Sequence, residues 1–265
     1  MSRRWWLAAL GVGGLVVGAA LWLLLRALPE GTDPTWERIL AAGEFPICTD
    51  PSWPPFEFVD EESGRMVGFD LDLARLLAER LAPGLRLRVV TVGFDGLYDA
   101  LLAGRCDAVL SALPYEEMRV EDVRYSVAYF NAGLVLLARR DGTDIEELKD
   151  VAERTVGVEW GFVPEGDPRQ KEFLRTLTLR RYETAEAALD ALRRGEVDAA
   201  IVDHITALTY LGEHGDLRLV GEPIYDVNYV IPVRPESFRL LQEINRVLLE
   251  MRQDGTLDML QRRWF

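Results

Sequence analysis

Apolar residues along this chain fall into short runs of strand length, separated by stretches whose apolar positions recur at helical spacing. Phe45–Thr49, Leu85–Val92, Leu134–Ala138, Thr155–Val158 and Leu177–Tyr182 are such runs. Between them, Leu73, Leu76, Leu77 and Leu81 line one helix face, with Asp70 as the expected cap and Pro83-Gly84 as the stop. Asp95 and Asp167-Pro168 open further helices, and Ser237–Met251, Gly255 and Leu257–Trp264 read as helix, stop and helix. Asp50–Phe56 is too proline-dense for helix or central strand, and Phe56–Val59 with Arg65–Val67 reads as a hairpin around Asp60–Gly64. Strands alternating with helices predict an α/β architecture with mostly parallel sheets.

One unit of this pattern occurs twice, 91 positions apart. Ala100–Leu110 and Ala191–Ile201 both read helix end, glycine stop and buried strand, with Gly104 over Gly195 and Asp107 over Asp198. Two such units imply two lobes facing each other. Ligands of open parallel sheets sit beyond the carboxyl ends of the strands, so Ser111-Ala112 and Val202-Asp203 are candidates to face one.

Composition narrows the setting. The chain has 265 residues, 49% hydrophobic, and a formal net charge of −14. That acidity disfavours nucleic acid as a partner. The apolar run Trp5–Leu25, with Arg3 and Arg4 before it and Arg26 after it, is long enough to span a bilayer with its N-terminus in the cytoplasm. An uncleaved anchor over residues 1–30 is the first reading. A cleaved signal is the alternative, although Leu25-Arg26-Ala27 is a poor cleavage site. Either way the domain works outside the cytoplasm. Cys48 closes one expected strand and Cys106 opens another (Cys106–Leu110), which in parallel neighbours puts them at opposite ends, well over ~10 Å apart and beyond the reach of a disulfide. Two buried free thiols are therefore expected. No metal or cofactor motif appears, and His204 and His214 lack ligand partners at useful spacing.

Several segments, in order, carry a resemblance: Asp50-x-x-Trp53-Pro-Pro-Phe56-Glu-Phe, Val67-Gly-Phe-Asp70-Leu-Asp-Leu-Ala, Phe94-Asp-Gly-Leu97, the two Ala-Gly/Arg-Gly blocks, and Asp254-Gly-Thr-Leu-Asp258 through Trp264-Phe265. The chain resembles the extracytoplasmic solute-binding proteins of polar amino-acid ABC importers (family 3). The resemblance implies a two-lobed, periplasmic-binding-protein-like (type II) clamshell. Lobe 1 would comprise 36–131 and 229–265, lobe 2 would comprise 132–228, and crossing segments near Asn131–Gly133 and Val227–Tyr229 would be the hinges. It also implies a small amino acid-like ligand and an ABC permease as partner.

By the same resemblance, Arg119 would pair with the ligand α-carboxylate and Asp203 with its α-ammonium. Trp53 and Phe94 would stack on the ligand side chain, and Asp50 would select a cationic one. Ser111 and Gly161 fall at family binding positions. The chain departs from the pattern at Pro114, where a hydroxyl is usual, and at Phe162-Val163, which replace two hydroxyl residues. The ligand is then expected to be bulkier or less polar than a standard amino acid. Other functions on the same fold are a sensor acting through a membrane partner, or a dehydratase using Glu159, Glu165 or Glu116 as general acid.

Overall fold

The computed structural model describes residues 33–141, 144–164 and 168–265. The apolar run Trp5–Leu25 and Glu165 lie outside the described residues. Among those described, no helix is long and apolar enough to cross a membrane. In chain order the strands are β1 (Glu44–Thr49), β2 (Ser52–Trp53), β3 (Glu57–Val59), β4 (Met66–Val67), β5 (Arg86–Thr91), β6 (Ala108–Val109), β7 (Arg124–Tyr125) and β8 (Phe130–Asn131). They continue as β9 (Leu134–Arg139), β10 (Thr155–Glu159), β11 (Thr178–Tyr182), β12 (Ala199–Asp203), β13 (Leu217–Tyr225), β14 (Asn228–Tyr229) and β15 (Pro232–Val233). The helices are α1 (Pro34–Ala42), α2 (Phe69–Leu81), α3 (Leu97–Leu102), α4 (Pro168–Thr176), α5 (Ala185–Arg193), α6 (His204–Glu213), α7 (Phe238–Gln253) and α8 (Thr256–Trp264).

Two five-stranded sheets share one plan. The first runs β5-β1-β6-β15-β7 and the second β11-β10-β12-β9-β13. In each, the first three strands are parallel, and an antiparallel strand pairs with the third. The repeat seen in the sequence occupies the same place in both. Gly104 (φ 72°) and Gly195 (φ 73°) turn in the left-handed region, where a side chain is penalised. An arginine from the neighbouring antiparallel segment then closes each turn. Arg234 Nη1 donates to Leu101 O at 3.0 Å and Cys106 O at 2.6 Å. Arg139 Nη1 donates to Leu192 O at 2.8 Å and Val197 O at 2.8 Å. The accepting carbonyls occupy equivalent positions of the two copies, so the pseudo-symmetry extends to single hydrogen bonds.

The two cysteines form a disulfide, contrary to the expectation of free thiols. Their Cα atoms are 5.6 Å apart. Strand spacing counted from Cys106 overstates the separation, because β6 begins at Ala108 and the chain bends before it. A bent chain does not advance ~3.3 Å per residue, so Cys106 stays within reach of Cys48. The bond is buried among Leu97, Leu101, Val109 and Leu113. A second difference concerns α2. Asp70 lies inside the helix rather than capping it, and Gly68 takes the N-cap position. A third concerns α3, which opens from a 3₁₀ turn over Phe94–Gly96 with Gly96, not Asp95, at its N-cap.

The chain passes between the sheets through β8 and β14, which pair antiparallel with Asn131 opposite Asn228. Asn131 Oδ1 accepts the N–H groups of Gly133 (2.9 Å) and Val227 (3.1 Å), tying both crossing segments together. A Cβ at Gly133 would lie 1.7 Å from Tyr225 O, so only glycine fits. Beside this link, Phe56, Phe69, Phe130 and Phe265 pack ring against ring with centroids 5.0–6.0 Å apart, a dense apolar base for the first sheet.

Candidate functional site

A cavity of about 460 Å³ opens at the second sheet, lined by the ends of β10 and β12, the turn after β10 and the two crossing segments. Asp203, Gly161 and Phe162, all expected from the sequence, line it together with Glu159 and Trp160. Asp203 ends β12, and its Oδ1 accepts the Thr206 N–H at 2.9 Å as the N-cap of α6. Its Oδ2 accepts no hydrogen bond among the described residues. Helix capping thus occupies one oxygen of this residue and leaves the other available at the cavity wall.

Gly161 adopts φ 90° with open space where a side chain would project. This turn carries Trp160, 66% exposed, and Val163, 63% exposed. Large apolar groups standing in solvent at a cavity mouth are available to cover a ligand.

On the first sheet, Asp50 follows β1. Its Oδ2 accepts the Phe94 N–H at 2.8 Å, and its own N–H donates to Ser111 Oγ at 2.9 Å. Asp50 Oδ1 is left without a donor among the described residues. The bond from Phe94 brings a residue 44 positions away to the same rim. Trp53 and Phe94 are 55% and 51% exposed, so both rings are open to a ligand, whereas Phe56 is wholly buried in the aromatic base.

Ser111 differs from its expected disposition. It is buried, and its Oγ donates to Glu57 Oε1 at 2.8 Å while accepting from Asp50. Its hydroxyl is occupied within the fold, and its effect on the rim runs through Asp50.

Arg119 closes a 3₁₀ turn, Glu117–Arg119. Its Nε donates to Glu116 Oε2 at 3.2 Å, and its guanidinium carbon stands 4.2 Å from the Tyr98 ring centroid. Tyr98 is in turn fixed through its hydroxyl to that of Tyr125 at 3.0 Å. The two Nη groups have no acceptor among the described residues, which leaves the fork that suits a carboxylate. Glu116 and Tyr98 carried no signal in the sequence as partners of Arg119, because their part depends on how the turn packs against α3.

His204 sits at the crossing, where its backbone N–H donates to Gly133 O at 2.8 Å. Its Nδ1 lies 2.7 Å from Asn131 O, its ring stacks on Phe130, and burial holds its imidazole below the ordinary range. Among the described residues, no group of three His, Cys, Asp or Glu side chains is placed to hold a metal.

Known proteins share this plan. The family model for bacterial extracellular solute-binding proteins, family 3, matches residues 45–265. The probable amino-acid-binding protein YxeM of Bacillus subtilis is 27% identical, with 95% of this chain and 94% of that protein covered. An ancestral cationic amino acid solute-binding protein, AncCDT-1, is 31% identical with a TM-score of 0.60, covering 87% of this chain and 99% of that one. A variant of an ancestral cyclohexadienyl dehydratase, AncCDT-3, is 25% identical with a TM-score of 0.74, covering 86% and 95%.

Proposed function

The chain belongs to the bacterial extracellular solute-binding proteins of family 3, and from that premise we propose that it captures a cationic amino acid for an ABC importer, in place of the bulkier or less polar ligand expected from Pro114 and Phe162-Val163. Lobe 1 is assigned to 36–131 and 229–265 and lobe 2 to 132–228, with closure about the β8–β14 crossing. The apolar run Trp5–Leu25 is assigned as the tether on the outer face of the membrane. The observation that carries the ligand assignment is the matched pair of carboxylates. Asp50 and Asp203 each spend one oxygen on a backbone N–H of the fold, and the other has no donor among the described residues.

Held in this way, a carboxylate loses little freedom on binding an ammonium or guanidinium. Asp203 takes the α-ammonium, Arg119 the α-carboxylate, and Asp50 with the Trp53 and Phe94 rings takes the cationic side chain. Closure over the ligand then follows from its differential contacts with the two lobes. The disulfide supports work in an oxidising, extracytoplasmic compartment.

Thermal shift with L-arginine, L-lysine, L-glutamine and L-glutamate tests the reading. Ligand at 100 times its dissociation constant adds about 2.7 kcal/mol of stability. Stabilisation by arginine or lysine and not by glutamate is expected. A preference for glutamate removes the cationic assignment, and silence with every amino acid removes the reading.

The likeness to AncCDT-3, with Glu159 in the cavity wall, supports a second reading as a dehydratase. Glu159 is exposed, whereas a carboxyl acid that works near neutral pH is raised by burial. Of the other acids considered, Glu116 is paired with Arg119. Incubation with prephenate or arogenate separates the readings, since an enzyme accumulates product and a binding protein returns the compound unchanged.

A further inference from the structure

Beneath the first-sheet rim lie two carboxyl groups that the ligand site does not use directly. Glu57 is 1% exposed and Asp70 0%. They are brought together by the close approach of β3 and α2. The Asp70 N–H donates to Phe56 O at 2.9 Å, and a Cβ on Gly68 would stand 2.0 Å from that same carbonyl oxygen. Only glycine at 68, with φ 137°, permits the approach.

The donors around the two groups are unequal. Asp70 Oδ2 accepts the Ala112 N–H at 2.7 Å and the Tyr129 hydroxyl at 2.8 Å. Ala112 is held at φ 44°, a left-handed conformation that costs an alanine on the order of 1 kcal/mol, to aim that N–H inward. Glu57 Oε1 receives only the Ser111 hydroxyl. Each acid then has one buried oxygen, Glu57 Oε2 and Asp70 Oδ1, that no other group serves among the described residues. Two buried carboxylates without a cation repel each other and lose their hydration, while one shared proton converts the unserved pair into donor and acceptor.

We propose that Glu57 and Asp70 share a single proton, and that protonated Glu57 is a positioning residue that holds the rim of the cleft through Ser111 and Asp50. With that proton joining Asp70 to Glu57, the observed bonds carry the link onward: Ser111 Oγ donates to Glu57 Oε1, the Asp50 N–H donates to Ser111 Oγ, and the Phe94 N–H donates to Asp50 Oδ2. The better-served Asp70 keeps the charge. Burial first, and then the Asp70 charge, push the Glu57 carboxyl far above the ordinary range, and Asp50 adds to this. Burial also raises Asp70, against which its hydrogen bonds from Ala112, Tyr129 and Glu57 work. The other titratable groups facing the pair are Tyr129 and Tyr229, both raised by burial and by these two acids, with Asp203 acting on Tyr229. Neither acid forms an ion pair with a cation among the described residues; their partners are the Ser111 and Tyr129 hydroxyls and the Ala112 N–H.

The folded protein therefore keeps, above the ordinary carboxylate range, a proton that the unfolded chain has lost. Its contribution to stability is complete at low pH and is lost as pH rises toward the raised value. At one retained proton, the folding constant falls about tenfold per pH unit from this source. In Glu57→Gln the amide donates to Asp70 and accepts from Ser111 with no proton to lose. Urea unfolding from pH 7 to 9 is expected to show wild type falling about tenfold per unit more steeply than Glu57→Gln. Parallel profiles overturn the shared proton. Wild type alone gives a second reading, because unfolding at pH 8 in weak buffer must release one additional proton, and none released overturns it as well.

The positioning role is read by amide exchange at Asp50 and Phe94. In Glu57→Ala their exchange is expected to quicken about tenfold relative to the core of the second sheet, and in Glu57→Gln to return to wild type. Equal exchange in all three proteins overturns it. The bearing on ligand capture rests on the proposed function. These readouts need no ligand, so a failure of either reading is seen separately.

Discussion

Replacing Arg119 by alanine tests the carboxylate half of the site, and the structure supplies a magnitude on each side of the balance. In the folded protein the Arg119 side chain is 41% exposed and paired with a 40% exposed Glu116. Such a pair contributes ~0–1 kcal/mol to folding, and the stack on Tyr98 contributes ~0.5–1 kcal/mol more. The fold should therefore lose about 1–2 kcal/mol at most. In a closed cleft, removing one partner of a hydrogen-bonded charge pair costs ~2–5 kcal/mol. At 1.4 kcal/mol per tenfold, the affinity for a cationic amino acid should fall by about one and a half to three and a half powers of ten.

Arg119→Lys keeps the charge but loses the fork and the planar stack, and should recover only part of the loss. Isothermal titration with L-arginine gives the affinities, and urea unfolding gives the stability of each variant. Unchanged affinity in Arg119→Ala removes this residue from the site. An affinity loss matched by an equal stability loss would mean that Arg119 serves the fold and not the ligand.

Replacing both Cys48 and Cys106 by alanine opens a link between residues 58 apart, and chain entropy puts the cost at about 4 kcal/mol; a loss under ~1 kcal/mol in urea unfolding would refute this. Gly133→Ala places a Cβ on the Tyr225 carbonyl and should destabilise the protein by about 1–3 kcal/mol, with an unchanged Tm counting against the close approach at the crossing. Solution scattering should show compaction when L-arginine is added at saturation, and identical profiles would argue against lobe closure.

The sequence by itself determined the alternation of strands and helices, the duplicated unit and the places where the chain turns. These are local properties: Gly104 and Gly195 stop their helices whatever surrounds them, and a buried parallel strand has to be apolar on both faces. The family motifs also placed the expected cleft acids and aromatics in order along the chain. Tertiary structure decided what each side chain does. The disulfide depended on a bend before β6 that strand spacing could not reveal. Asp70, with the pattern of a helix cap, became a buried acid because Gly68 allows Phe56 to approach. Ser111 turned inward because Glu57 and Asp50 were brought to it from elsewhere in the chain. In each case the deciding partner is set by packing and not by local spacing. A local pattern specifies conformation, but burial and hydrogen-bond partners are fixed only when distant segments pack.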